Sequence, residues 1–147
     1  VAAKGPKIVL DASVLVAACV ASHPEHAACR RWVQRAAKGE IHLVVAAHSL
    51  AETYAVLSSL PLSPRISPDL AARLVEQNVV SHAGSVVALS ATEYRQALRR
   101  LAAGGFSGGV TYDMLVVAVA DKARAAEIVT LNRRDFDRLA PGRARLP

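Results

Sequence analysis

Aromatic side chains make up only 4% of this 147-residue chain: one Trp, three Tyr and two Phe. That scarcity argues against the nucleic-acid readers that hold single strands by stacking bases on aromatic platforms. Cysteine is scarcer still. The spacing of Cys19 and Cys29 fits neither a CxxC redox pair nor a zinc pattern, so both are expected to be small core residues. No apolar run approaches the roughly 20 residues of a membrane span, and no stretch reads as a signal peptide. A reducing cytoplasm is the expected location, with no membrane partner. No GxSxG elbow, GxxxxGK[ST] loop or GxGxxG turn follows a strand.

What is present is apolar and basic. Hydrophobic residues form 52% of the chain, and 18 Lys and Arg against 12 Asp and Glu leave a net charge of +6. This length and composition fit one folded domain over 1–147 with a sizeable core. The basic excess favours polyanionic partners.

Along the chain, strand-like runs alternate with helical ones. "KIVLD" reads as a buried strand ending on an acid, followed by the helix "ASVLVAACVA". "PEHAACRRWVQRAAKGE" is a helix with Ala27, Trp32, Val33 and Ala36 on its apolar face. "IHLVVA" predicts a strand and "HSLAETYAVLSSL" a helix; the proline-punctuated "PLSPRISP" predicts a loop. A helix capped by Ser67, a strand in "HAGSVVALS" and the helix "ATEYRQALRRLAA" come next. After a glycine-rich "GGFSGG", expected as a hinge, come an apolar helix from "TYDMLVVAVADKA", the strand "EIVTLN", the short helix "RRDFDRLA" and a last strand near "ARLP". Such alternation predicts an α/β fold, a mostly parallel central sheet with helices on both faces. Ligands of such sheets bind outside the carboxyl ends of the strands.

Four acids occupy that kind of position: Asp11 ending the first strand, Glu52 early in the helix after the second, Asp113 opening the apolar helix, and Asp135 after the fourth strand. Taken alone, Asp113 reads as a helix cap, with Thr111 sharing the duty. Four clustered carboxylates repel one another unless a cation joins them. Hard divalent ions such as Mg²⁺ and Mn²⁺ prefer carboxylate oxygens and water, and can support phosphodiester hydrolysis. The histidines His23, His26, His42, His48 and His82 lie outside these acidic motifs, which argues against a metal-independent ribonuclease using His acid–base chemistry.

"IVLDASVLVAA", "SLAETYAVL" and "TYDMLVVAVADKARAAEIVTLNRRDF" resemble the successive motifs of PIN-domain ribonucleases, and most closely the VapC-type toxins of toxin–antitoxin pairs. The resemblance spans nearly the whole chain and implies a PIN-like three-layer sandwich. It also implies that Asp11, Glu52, Asp113 and Asp135 form an acidic quartet binding Mg²⁺ or Mn²⁺ for RNA cleavage, leaving a 5′-phosphate and a 3′-hydroxyl. Ser13 and Thr130 match hydroxyl residues that orient the acids or their waters, and Asn132 an amide beside them. Asp137 is peripheral. The family often carries another acid just before Asp113; "GGVTYD" has none. A homodimer and a cognate VapB-type antitoxin, whose tail covers the groove, are implied as partners beside the RNA substrate.

Arg133 and Arg134 stand between Asn132 and Asp135 and are candidates to guide RNA phosphates. Two other readings compete. A phospho-aspartyl phosphatase or receiver also places an Asp after the first strand, but the phosphatase wants a second Asp where Ser13 stands, and the receiver a late lysine that "TLNRR" lacks. A non-catalytic RNA- or partner-binding module would not need all four acids.

Overall fold

The computed structural model describes residues 5–147. Five strands form one sheet: β1 (Lys7–Leu10), β2 (His42–Ala46), β3 (Ser85–Val87), β4 (Glu127–Val129) and β5 (Ala144–Arg145). Their order is β3-β2-β1-β4-β5 and every pairing is parallel. Seven helices accompany them: α1 (Ala12–Cys19), α2 (His26–Ala37), α3 (Ala47–Ser59), α4 (Pro68–Asn78), α5 (Ala91–Ala103), α6 (Val110–Ala123) and α7 (Arg133–Leu139). The expected α/β sandwich is therefore present, and its sheet is wholly parallel among the described residues.

The inner strands β1, β2 and β4 are short apolar runs because both of their faces are covered, while the edge strands β3 and β5 are partly exposed. Side chains alternate across a strand. Ile8 and Leu10 of β1 thus join Leu43, Val45 and Val129 against α1 and α2, while Val9 joins Val44, Ala46 and Ile128 against α5, α6 and α7. A third cluster of Val16, Val20, Leu57 and Ala71 joins α1, α3 and α4. On α6, Met114, Leu115, Val116, Val117, Val119 and Ala120 are all buried, as a helix without a polar stripe requires.

Helix ends follow local chemistry. Ser67 accepts from the Leu70 amide at 3.1 Å and Pro68 starts α4. Ser90 and Glu93 form a reciprocal capping box on α5. On α2 the expected face shifts slightly: Cys29, Trp32 and Val33 are buried and Ala27 is exposed. Cys29 is wholly buried, and burial with nearby Glu25 pushes its thiol up to about 11. No helix among the described residues is long and apolar enough to cross a membrane.

One topological fact sets up the site. From β1 the chain steps outward to β2 and β3, then returns to β1's other side for β4 and β5. Outgoing connections from β1 and β4 therefore diverge to opposite layers, leaving a crevice at the carboxyl ends of these neighbours. Asp11 directly follows β1, and Thr130 directly follows β4.

Candidate active site

Asp11 is only 6% exposed, and a buried carboxylate needs donors. It has them. Ser13 Oγ donates to Asp11 Oδ2 at 2.8 Å and Thr130 Oγ1 donates to the same oxygen at 3.0 Å. The donors are themselves held: the Leu131 amide donates to Ser13 Oγ at 3.1 Å, and the Asn132 amide to Thr130 Oγ1 at 2.9 Å. The Asp11 amide donates to the Val129 carbonyl at 3.0 Å, so β1 and β4 are stitched together where both end. Both of these side-chain donors go to Oδ2, and neither engages Asp11 Oδ1.

Asp113 lies in the first turn of α6, yet no side chain caps that helix. Its carboxylate is engaged elsewhere: Asn132 Nδ2 approaches Asp113 Oδ2 at 3.4 Å and donates to Asp135 Oδ2 at 2.8 Å. Asn132 therefore bridges two of the acids. Burial, with the charges of Asp11, Asp135 and Glu52, pushes the Asp113 carboxyl up to about 7. Glu52, on α3, is raised first by burial and then by Asp11. The four acids thus share one electrostatic neighbourhood at the β1–β4 crevice. They do not form a compact ligand cluster: no three His, Cys, Asp or Glu side chains among the described residues stand at metal-holding spacing.

Asp11, Glu52 and Asp113 line a groove with about 420 Å³ of free volume, together with Ser13 and Asn132. Its other walls are apolar, from Ala12 and Val16 of α1 and Ala55 and Val56 of α3. No basic side chain lines it among the described residues. Asp135 stands at the rim, on α7.

The donor set suits a divalent cation by its chemistry. It is all oxygen, it is partly buried, and it holds an acid whose ionisation near neutrality is opposed by three like charges; a hard cation would remove that opposition.

The two arginines expected to meet RNA are placed differently from each other. Arg133 Nε is 3.2 Å from Asp137 Oδ2, an exposed pair one turn apart, while Arg134 is exposed. Two further residues near the acids were not singled out by motif. Arg138 NH1 lies 3.6 Å from Asp135 Oδ1. His48 sits in the first turn of α3, where burial lowers its pKa, against the opposing influence of Asp11 and of the Tyr112 backbone beside it. Its Nε2, like the neighbouring Ser49 Oγ, is buried without a hydrogen-bond partner among the described residues. Spacing held a signal for both: His48 is one helical turn before Glu52, and Arg138 one turn after Asp135.

Residues 8–141 match the family model described as PIN domain. Ribonuclease VapC40 of Mycobacterium tuberculosis is 38% identical over 124 residues, spanning 84% of this chain and 85% of its own length. Ribonuclease VapC27 of the same organism is 35% identical over 133 residues, 90% of this chain and 89% of that one. Among solved structures, VapBC2 from Rickettsia felis bound to a DNA fragment from their promoter superimposes with a TM-score of 0.69 at 19% identity. It covers 96% of this chain and 98% of that chain.

Proposed function

Because this chain belongs to the PIN-domain family, we propose that it is a divalent-cation-dependent endoribonuclease of the VapC toxin type, working as a single unit over 1–147. The observation that carries this reading is the gathering of Asp11, Glu52, Asp113 and Asp135 around the β1–β4 crevice. The names of its relatives, both ribonucleases, support RNA as the substrate.

In this reading Asp11, Glu52, Asp113 and Asp135 hold Mg²⁺, or Mn²⁺ in its place. Bound there, such an ion supplies Lewis-acid activation of water and offsets charge on the phosphate. The chain's own residues do the rest. Ser13 and Thr130 fix one Asp11 oxygen and leave the other free to act as a ligand. Asn132 orients Asp113 and Asp135 through one amide. Without the ion the Asp113 carboxyl ionises only near neutrality, so taking up the ion there releases its proton. Val16 and Val56 give the groove an apolar wall beside the reacting phosphodiester. Arg133 and Arg134 guide the RNA backbone toward the acids.

A cognate VapB-type antitoxin is the proposed inhibitor, the chain pairs as a homodimer, and the cytoplasm is the proposed location, in keeping with two free thiols. The phospho-aspartyl alternative is not favoured: Ser13 stands where its second Asp belongs, and the Ser13 hydroxyl is spent on Asp11.

Sequencing RNA 5′ ends after expression of the native chain and of Asp11→Asn tests the reading. Cut sites present with the native chain and absent with the variant support it. Identical cut sites in both, or none in either, overturn it.

A further inference from the structure

Resting on the ribonuclease reading, we propose that Arg138 is a substrate-binding residue that takes an RNA phosphate at the rim of the acidic groove, and that Gly104 leaves room for its aromatic platform, Phe106. The guanidinium is held from two sides. Its carbon lies 5.2 Å from the centroid of the Phe106 ring, and NH1 lies 3.6 Å from Asp135 Oδ1. A stacked, carboxylate-tethered guanidinium has lost much of its freedom before substrate arrives, so less is lost when it binds.

Most of its hydrogen-bonding capacity is unspent. Guanidinium carries five N–H donors, and the long contact to Asp135 engages one end only. The side chain is 56% exposed. Arg133, by contrast, is tied through Nε to Asp137 at 3.2 Å.

A basic side chain beside the groove eases the approach of RNA, adding to the charge of the bound ion. A phosphodiester approaching Asp11, Glu52 and Asp113 meets like charge, and the groove walls supply no basic side chain among the described residues. Arg138 stands beside the fourth acid and is poised for bidentate contact with phosphate oxygens.

Within the "GGFSGG" segment, Phe106 is held in place. Phe106 packs against the cluster that contains Met114 and Phe136, and its amide donates to the Leu101 carbonyl at 3.0 Å. A Cβ on Gly104 would stand 2.6 Å from the Phe106 ring. Glycine at 104 is therefore what lets the ring lie where Arg138 meets it.

The test is fluorescence anisotropy of a short single-stranded RNA of mixed sequence, titrated with the full chain in Ca²⁺ across a range of salt. Arg138→Gln is expected to weaken binding about fivefold at low salt and to reduce the magnitude of the log–log salt slope by about 0.7, the value for one phosphate contact on a single strand. Arg138→Lys, which keeps the charge, retains the native slope. Phe106→Leu, which removes the platform and keeps the charge, weakens binding about twofold to threefold with the native slope. A change of slope separates a phosphate contact from a merely structural role. A native slope in Arg138→Gln, with native circular dichroism, overturns the proposal while leaving the ribonuclease reading intact. No RNA binding by the native chain overturns that reading and this proposal with it.

Discussion

Thr130 donates to Asp11 at 3.0 Å across 119 positions of sequence. Both residues are buried, and each directly follows a strand flanking the crevice. Replacing Thr130 by Val keeps the shape and deletes a donor to a buried charge. Hydrogen bonds to charged groups contribute about 1.5–3 kcal/mol, so Thr130→Val should lower stability by that order in urea unfolding. It should also weaken divalent-ion affinity about tenfold, as loss of a group that orients a ligand does. Unchanged values of both would show that Thr130 does not hold Asp11.

Asp113 makes the metal-free protein less stable as pH rises. Its folded pKa of about 7 exceeds the ordinary value of 3.8. Between these values the folded form retains a proton that the unfolded chain releases, so stability falls as pH rises from about 4 to about 7 and stays lower above. Asp113→Asn removes this loss. In chelator, the variant should melt higher than the native chain at pH 8, by about 2–4 °C for each kcal/mol gained, with the gap closing toward pH 4. A constant gap would contradict the assigned shift.

His48 works in the opposite sense. Burial lowers its folded pKa below 6.5, so its contribution is fully present above pH 6.5 and is lost as pH falls toward the folded value. His48→Gln should melt with a shallower decline below pH 6.5 than the native chain. An acid limb of the same steepness would show that this imidazole does not set it.

Phe136 is fully buried between α7 and the sheet, next to the residues that present Asp135. Phe136→Ala should cost about 3–5 kcal/mol in urea unfolding. Arg31→Ala on the exposed face of α2 should stay within about 0.5 kcal/mol. A cost for Phe136→Ala below about 1 kcal/mol would place the ring outside the core.

Much of this architecture was legible because each signal was local and repeated. Short apolar runs ending on polar residues marked the strands, and "MLVVAVA" marked a helix buried on all sides. Asp11, Glu52 and Asp135 drew attention because a parallel sheet brings its strand-to-helix junctions to one end, whereas Asp113 opens α6, which follows α5 rather than a strand. What stayed hidden depends on rotamers and on packing across layers. Asp113 reads as a cap until Asn132, from beyond β4, is seen to engage it at 3.4 Å. "GGFSGG" gives no sign in sequence that the Phe106 ring packs against Gly104. Arg133 and Arg134 drew notice by adjacency to Asp135, whereas helical geometry brings Arg138, three positions later, against it. On α2 Cys29 is buried as a small core residue, while Ala27, expected on the apolar face, is exposed.

The most direct test of the acidic site is calorimetric titration of Mn²⁺ into the chelator-treated native chain and into Asp113→Asn at pH 8. Saturable binding by the native chain, weakened at least tenfold in the variant, is the expected result. Equal affinities, or no saturable binding by the native chain, would contradict a shared divalent cation among Asp11, Glu52, Asp113 and Asp135.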